Sequence, residues 1–322
     1  MFARNTTARQ PFCPPNTNSG LPPMKRFALF LLLAASIPCA VLAKPARADT
    51  IISNKGSSTL HHLAQAWASA YHQAHPEVTI DVRSCGSNTG ISALINNSVD
   101  LANSSRPLRP KEIAEAKRNG VQPVQHLVAY DALTIHVHPA NPLKWISTPF
   151  LAEIYGERGT VNSWGQLGVM VPGCLNSRMH LVGRQSSSGT HDYFMDAVLA
   201  GKQDFKHGLD SVDVADPEEV IDLVAKNPCS IGYVGLGHES VRTKVLDVSH
   251  GNGVEIVTAS MENAASNRYP LSRPLFIYTN GQPRGEVEQY LNWILSTEGQ
   301  CIVQKLGYAP IRALPCREES KP

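Results

Sequence analysis

The chain has 322 residues, 42% of them hydrophobic and 17% charged, with 29 Lys and Arg against 27 Asp and Glu. Residues 1–48 hold six of those basic residues and no acidic one, so the remainder carries 23 against 27 and is mildly acidic. That balance, with no basic stripe interleaved with aromatics, speaks against a nucleic-acid-binding protein.

Met24-Lys25-Arg26 is a short basic start, and "FALFLLLAASIPCAVLA" after it is an apolar run short for a bilayer span. "ARAD" then offers a small-x-small cleavage site after Ala48, so residues 1–48 read as an upstream extension and a secretory signal peptide, with Met24 as the expected start. A lipid anchor fits less well, because Ser-Ile-Pro precedes Cys39 where leucine and small residues would be needed. The remaining 274 residues suit one large or two medium domains. Five cysteines remain: Cys85, Cys174, Cys229, Cys301 and Cys316. In an oxidising compartment the expected pairs are Cys174–Cys229 and Cys301–Cys316, with Cys85 free. No two cysteines fall at metal-ligand spacing, so no zinc site is expected.

From Thr50 the pattern repeats strand, glycine-serine turn, helix. "TIIS" predicts a strand, and Leu60, Leu63, Ala64, Trp67 and Tyr71 fall at helical spacing, with Ser57 or Ser58 as N-cap and Pro76 as stop. "VTIDVRS" alternates as a strand, and "ISALINN" places Ile91, Leu94 and Ile95 on one helix face. "DLANSSRPL" predicts a strand and a polar turn, and "PKEIAEAKRNG" a helix that Gly120 can close. "VQHLVAYDALTIHVHP" is long enough to cross between two bodies. Further helices are predicted in "STPFLAEIYG", after the strand "HLVGR", and in "DPEEVIDLVAKNP", which leads to the strand "SIGYVGLG". "RPLFIYTN" is a strand, "GEVEQYLNWILSTEGQCIVQKLG" one helix, and "YAPI" extended. The alternation indicates an α/β protein with mainly parallel sheets.

Four of the strand-to-helix turns are rich in hydroxyls and glycine: Gly56–Thr59, Gly86–Gly90, Ser104–Arg106 and Ser186–Thr190. Such turns offer backbone N–H groups at the positive end of a helix, and in open α/β sheets they gather at the carboxyl ends of the strands. Four of them at one crevice would wrap a small oxyanion, with Ser188, Gly189 and Thr190 as donors and Arg184 as a planar counter-charge. Singly, each turn reads as an ordinary helix cap.

The series "GSST", "GSNTG", "VDLANSSRPL", "GRQSSSGTHDYF", "SIGYVGLG", "YPLSRPLFIYT" and "GYAPI" resembles, over nearly all of residues 50–312, the periplasmic phosphate-binding proteins of the high-affinity phosphate ABC transporter. The resemblance implies two α/β lobes joined by two crossing strands, a type II solute-binding fold that closes over phosphate. It places lobe 1 at residues 49–131 plus 272–322 and lobe 2 at 132–271. It implies as phosphate ligands Ser58, Thr59, Ser87, Ser105, Arg184, Ser188, Gly189 and Thr190, with Arg106 and Asp131 as further candidates. It implies inorganic phosphate and the permease subunits of an inner-membrane transporter as partners, no cofactor, no nucleic acid, and a monomer in the periplasm.

The chain departs from part of that family at Ser105, where well-known members have an aspartate that accepts the proton of hydrogen phosphate. Sulfate has no such proton to give, so the change bears on selectivity, and Asp131 is the replacement acceptor to consider, against a solvated or capping role. Two other functions stay open on the residues: a binder of another tetrahedral oxyanion such as sulfate or molybdate, and a phosphatase or phosphoesterase on the same cradle. For the enzyme, Ser188, His191 and Asp192 are adjacent, but a helix start should turn His191 away from Ser188, and no G-x-S-x-G elbow occurs. The histidine pairs His61–His62 and His136–His138 lack carboxylate partners at metal spacing.

Overall fold

A computed structural model describes residues 49–316 except 209, 239, 252–254, 314 and 315. The expected upstream extension and signal peptide lie outside the described residues, as does the end of lobe 1 at 317–322. Among the described residues no helix is long and apolar enough to cross a membrane.

Strand β1 (Thr50–Gly56), helix α1 (His61–Ala74), β2 (Val78–Ser84), α2 (Ser87–Ile95), β3 (Leu101–Ser104) and α3 (Pro110–Arg118) alternate along the first part of the chain. The long β4 (Pro123–Val137) is followed by β5 (Trp145–Ser147), α4 (Thr148–Tyr155), β6 (His180–Arg184), α5 (Gly189–Val198), β7 (Ser211–Val214), α6 (Pro217–Lys226) and β8 (Ser230–Gly235). Then come β9 (Lys244–Ser249), β10 (Ile256–Val257), α7 (Met261–Ala265), β11 (Ser272–Asn280), α8 (Gly285–Leu295) and α9 (Thr297–Lys305).

The strands run in the order β2-β1-β3-β11-β4-β8-β6-β7, with β9 beside β4 and carrying β5 and β10. β1 is parallel to β2 and β3, and β6 is parallel to β7 and β8. β11 lies antiparallel to β3 and β4, and β4 antiparallel to β8. The expected parallel sheets are therefore two parallel groups, joined through antiparallel strands. β4 makes the join: its residues Pro123–Ala132 pair with β11, and Leu133–Val137 pair with β8. A second chain passage lies beside it, where the Leu133 N–H donates to the Leu271 carbonyl at 2.9 Å.

Each group has its own core. Leu63, Trp67 and Tyr71 of α1, with Leu60 just ahead of it, are buried against β1, β2, Leu275 and Leu291, as their helical spacing predicts. Leu151, Trp164, Phe194 and Tyr233 anchor the other core. The C-terminal segment returns to the first: the Trp67 indole N–H donates to the Gly299 carbonyl at 2.7 Å. Both expected disulfides form, with Cα separations of 5.0 Å for Cys174–Cys229 and 5.5 Å for Cys301–Cys316.

Two local expectations are corrected. The single C-terminal helix is two, because Ser296 leaves helical geometry (ψ 173°) and its hydroxyl caps α9 by accepting from the Gly299 N–H. Neither Ser57 nor Ser58 caps α1; the cap position is Leu60, which makes no side-chain cap bond.

Candidate anion-binding cleft

Ser58 fails to cap because it is used elsewhere. Its hydroxyl accepts from Arg184 Nη2 at 2.7 Å, a bond between a turn of the first strand group and a strand of the second. Such bonds recur across the same face. The Thr59 and Thr190 hydroxyls are 2.9 Å apart, the Asn88 N–H donates to the Ser187 carbonyl at 3.2 Å, and Asn88 Nδ2 donates to the Ser186 carbonyl at 2.7 Å. Ser87 Oγ accepts from the Ser105 N–H at 3.1 Å and lies 3.2 Å from Ser105 Oγ. Ser57 N–H donates to the Asn103 carbonyl at 2.9 Å, which ties the first turn to β3, the strand that leads into the third turn. The four turns thus meet at one place, at the carboxyl ends of β1, β2, β3 and β6.

Glycine makes the approach possible. Gly86 has φ +83° and a Cβ there would lie 2.4 Å from the Ser187 carbonyl oxygen. At Gly189, the first residue of α5, a Cβ would lie 2.3 Å from Ser87 Oγ and 2.7 Å from Ser105 Oγ. Ser188 is the N-cap of α5 and its hydroxyl accepts from the Thr190 N–H at 3.1 Å. The sequence reading of Ser188 as a cap and as a member of the anion-facing turn is therefore geometrically compatible with both.

Charge is distributed unevenly over Arg184 and Arg106. Arg184 is fully buried and its hydrogen-bond partners are neutral: the Val214 carbonyl, the Ala215 carbonyl and Ser58. Its Nη1 is buried with no hydrogen-bond partner, and burial pushes its pKa down to about 10. At neutral pH it is still a cation, held in low dielectric without a carboxylate in hydrogen-bonding contact. Arg106 is the opposite case. It pairs with Glu112 at 2.6 Å and Asp192 at 3.0 Å and donates to Asn88 Oδ1 and the Pro107 carbonyl. Burial would raise the Asp192 pKa, but the His191 hydrogen bond, Arg109 and Arg106 outweigh it and hold the carboxyl below its ordinary value. Arg106 is an ion-paired clasp between Asn88 and Asp192 with its donors taken up.

Asp131 is neither solvated nor a cap. It is fully buried; Oδ2 accepts from Arg273 at 2.7 and 2.9 Å, and Oδ1 accepts from the Leu236 N–H at 2.9 Å. Arg273 was not singled out from the sequence. The available signal was two lone opposite charges, Asp131 in "VAYDAL" and Arg273 in "SRPLFI", each inside an apolar strand where an unpaired charge is too costly to bury.

The enzyme geometry is absent from the described side chains. The His191 ring packs on Phe205 at 4.6 Å and its Nδ1 is 3.3 Å from Asp192 Oδ1, whereas Ser188 Oγ is engaged with the Thr190 N–H. No cluster of three or more His, Cys, Asp or Glu side chains suited to a metal occurs among the described residues. His136 is buried between the Thr134 and Thr243 hydroxyls, at 2.7 and 2.8 Å.

A two-lobe α/β molecule with hydroxyl-rich turns converging on a buried cation suggests a solute-binding protein, and comparison with known proteins agrees. A family model described as a PBP superfamily domain matches residues 43–298. The phosphate-binding protein PstS of Pseudomonas aeruginosa is 32% identical over 81% of this chain and 83% of its own length. Protein SphX of Synechococcus elongatus is 30% identical over 91% of this chain and 87% of its own. A crystal structure of a putative phosphate ABC transporter substrate-binding protein with bound phosphate from Clostridium perfringens superposes with a TM-score of 0.70 at 25% identity, covering 82% of this chain and 100% of that one. By fold, by the order of its motifs and by these likenesses, the chain belongs to the PBP superfamily and, within it, to the family of the phosphate-binding proteins PstS.

Proposed function

We propose that this protein captures inorganic phosphate in the cleft between its lobes and delivers it to the permease of an ABC transporter, without chemistry on the ligand. The observation that carries the reading is Arg184, a buried guanidinium with neutral partners and a free Nη1, at the meeting point of four hydroxyl-rich turns. A tetrahedral oxyanion suits such a site: it accepts from a guanidinium and from several hydroxyls together. Ser58, Thr59, Ser87, Ser105, Arg184, Ser188, Gly189 and Thr190 form the cradle, whereas Arg106 and Asp131 support it from their ion pairs. The lobes comprise residues 49–131 with 272–322, and 132–271, and the protein works as a monomer in the periplasm.

The test is calorimetric titration of purified, anion-stripped protein with phosphate, then sulfate, molybdate and a phosphomonoester, with product release assayed from the ester. Tight phosphate binding without turnover is expected. Equal binding of sulfate would reassign the protein to general oxyanion capture, and release of more phosphate than there are protein molecules would make it a phosphatase.

A further inference from the structure

Arg273 occupies a position that its neighbours make unusual. It is the direct cross-strand partner of Asp131, beside the point where β4 leaves β11 and begins to pair with β8. Nε and Nη2 both bind Asp131 Oδ2, which neutralises the charge locally. The remaining donors reach two threonines on opposite sides of the cleft: Nη1 donates to Thr190 Oγ1 at 3.0 Å and Nη2 to Thr59 Oγ1 at 3.3 Å. The guanidinium lies 5.7 Å from the centre of the Tyr193 ring, and the Tyr193 hydroxyl donates to the neighbouring Ser272 carbonyl. All five residues are thereby tied together, four of them by hydrogen bonds to one side chain or its backbone neighbour.

Counting protons shows what this does. Each threonine oxygen accepts from the guanidinium, so its own O–H cannot point there. With the two oxygens 2.9 Å apart, one O–H donates to the other oxygen and the second is left for a further acceptor. Without Arg273 the same two hydroxyls could rotate freely, and either could turn a lone pair toward an incoming anion.

We propose that Arg273 is a positioning residue for the anion: it holds Thr59 and Thr190, one from each lobe, in the hydrogen-bonded arrangement that joins the lobes and leaves a threonine proton directed to the ligand. The inference rests on the phosphate-binding reading above. Arg273 does not supply the ligand's counter-charge, since Asp131 already balances it; Arg184 does that.

A double-mutant cycle between Arg273→Lys and Thr190→Val tests it, read by calorimetric titration with inorganic phosphate, by thermal unfolding without anion, and by the radius of gyration in solution. Lysine keeps a cation beside Asp131, but its single nitrogen cannot serve both threonines. Each single variant is expected to weaken phosphate binding by about tenfold to a hundredfold, the range for a charge-assisted hydrogen bond. The double variant should be little worse than either single one, and Thr190→Ser should recover most of the affinity lost in Thr190→Val. Fully additive losses, or a lowered melting temperature with unchanged phosphate affinity, would reduce Arg273 to a fold-stabilising ion pair and overturn the proposal. Should Arg273→Lys not fold, Thr59→Val replaces it in the cycle with the same expected non-additivity. If the wild-type protein binds no phosphate, the functional reading fails on its own, and the proposal is then judged by the anion-free radius of gyration. Expansion in the variants supports the interlobe tie, and an unchanged radius overturns it.

Discussion

At Arg184 the protein keeps a cation in a place that costs stability. It is buried with no carboxylate in hydrogen-bonding contact, and in the proposed function an anion supplies the missing counter-charge. Arg184→Ala should therefore weaken phosphate binding by about 3 kcal/mol or more, roughly a hundredfold, while thermal unfolding of the anion-free variant shows no loss of stability. Normal phosphate binding by that variant would remove Arg184 from the cradle. His136 sets a second expectation. Burial first, and then the nearby His238, hold its pKa down to about 3, against an ordinary value near 6.5. The unfolded chain thus binds a proton that the folded one refuses between those limits. Stability from this group is complete above pH 6.5 and is lost as pH falls toward 3, on the order of 1 kcal/mol per pH unit inside the window. Denaturant titrations between pH 7.5 and 5, above the range where carboxylates titrate, should show this slope in the wild type and a flatter one in His136→Gln.

Among the elements, α5 is the most informative, because its first residue is a glycine for a tertiary reason. Gly189 has an ordinary helical start, so alanine there would suit the helix by itself. Across the cleft, however, the added carbon would press on the Ser87 and Ser105 hydroxyls. Overpacking of this kind costs about 1–3 kcal/mol and is relieved if the lobes part. Gly189→Ala should consequently lower phosphate affinity by roughly tenfold to a hundredfold and leave the melting temperature of the anion-free protein unchanged. A variant that binds as tightly as the wild type would show that α5 does not close on the second and third turns. The same element scale separates α1 from α4 and α6, whose cap positions are filled by their own neighbouring side chains. Ser147 and Asp216 cap their own helices, but Ser58 is drawn to Arg184, a residue more than a hundred positions away.

For the whole molecule, the crossing of β4 and the return of the C-terminal helices place the two cores on either side of the turns. In the proposed function closure is a relative motion of two packed bodies, with the contacts between them made by hydroxyls, Asn88, Arg184, the Arg106 clasp and the Arg273 tie. The disulfides lie outside that contact. Cys174–Cys229 closes a separation of 55 residues within one lobe, so replacing both cysteines by serine should lower the unfolding free energy by about 2–4 kcal/mol. Phosphate titration at room temperature should be unaffected, and a changed affinity would mean that the second lobe's core transmits to the cleft.

Local chemistry in the sequence determined most of the architecture. The apolar spacing of α1, the alternation of β2, the turn residues and the length of β4 all read correctly, because helix and strand formation depend on residues a few positions apart. The motif series was equally legible, since each turn is contiguous in the chain. What the tertiary structure alone decided is which polar side chains spend their hydrogen bonds locally and which across the cleft. Ser58 leaves its helix for Arg184, Asp131 is consumed by Arg273 and Leu236, and Arg106 by Glu112 and Asp192. Those partners come from strands and turns far apart in sequence, and an ion pair's worth depends on burial and geometry that no spacing of letters encodes.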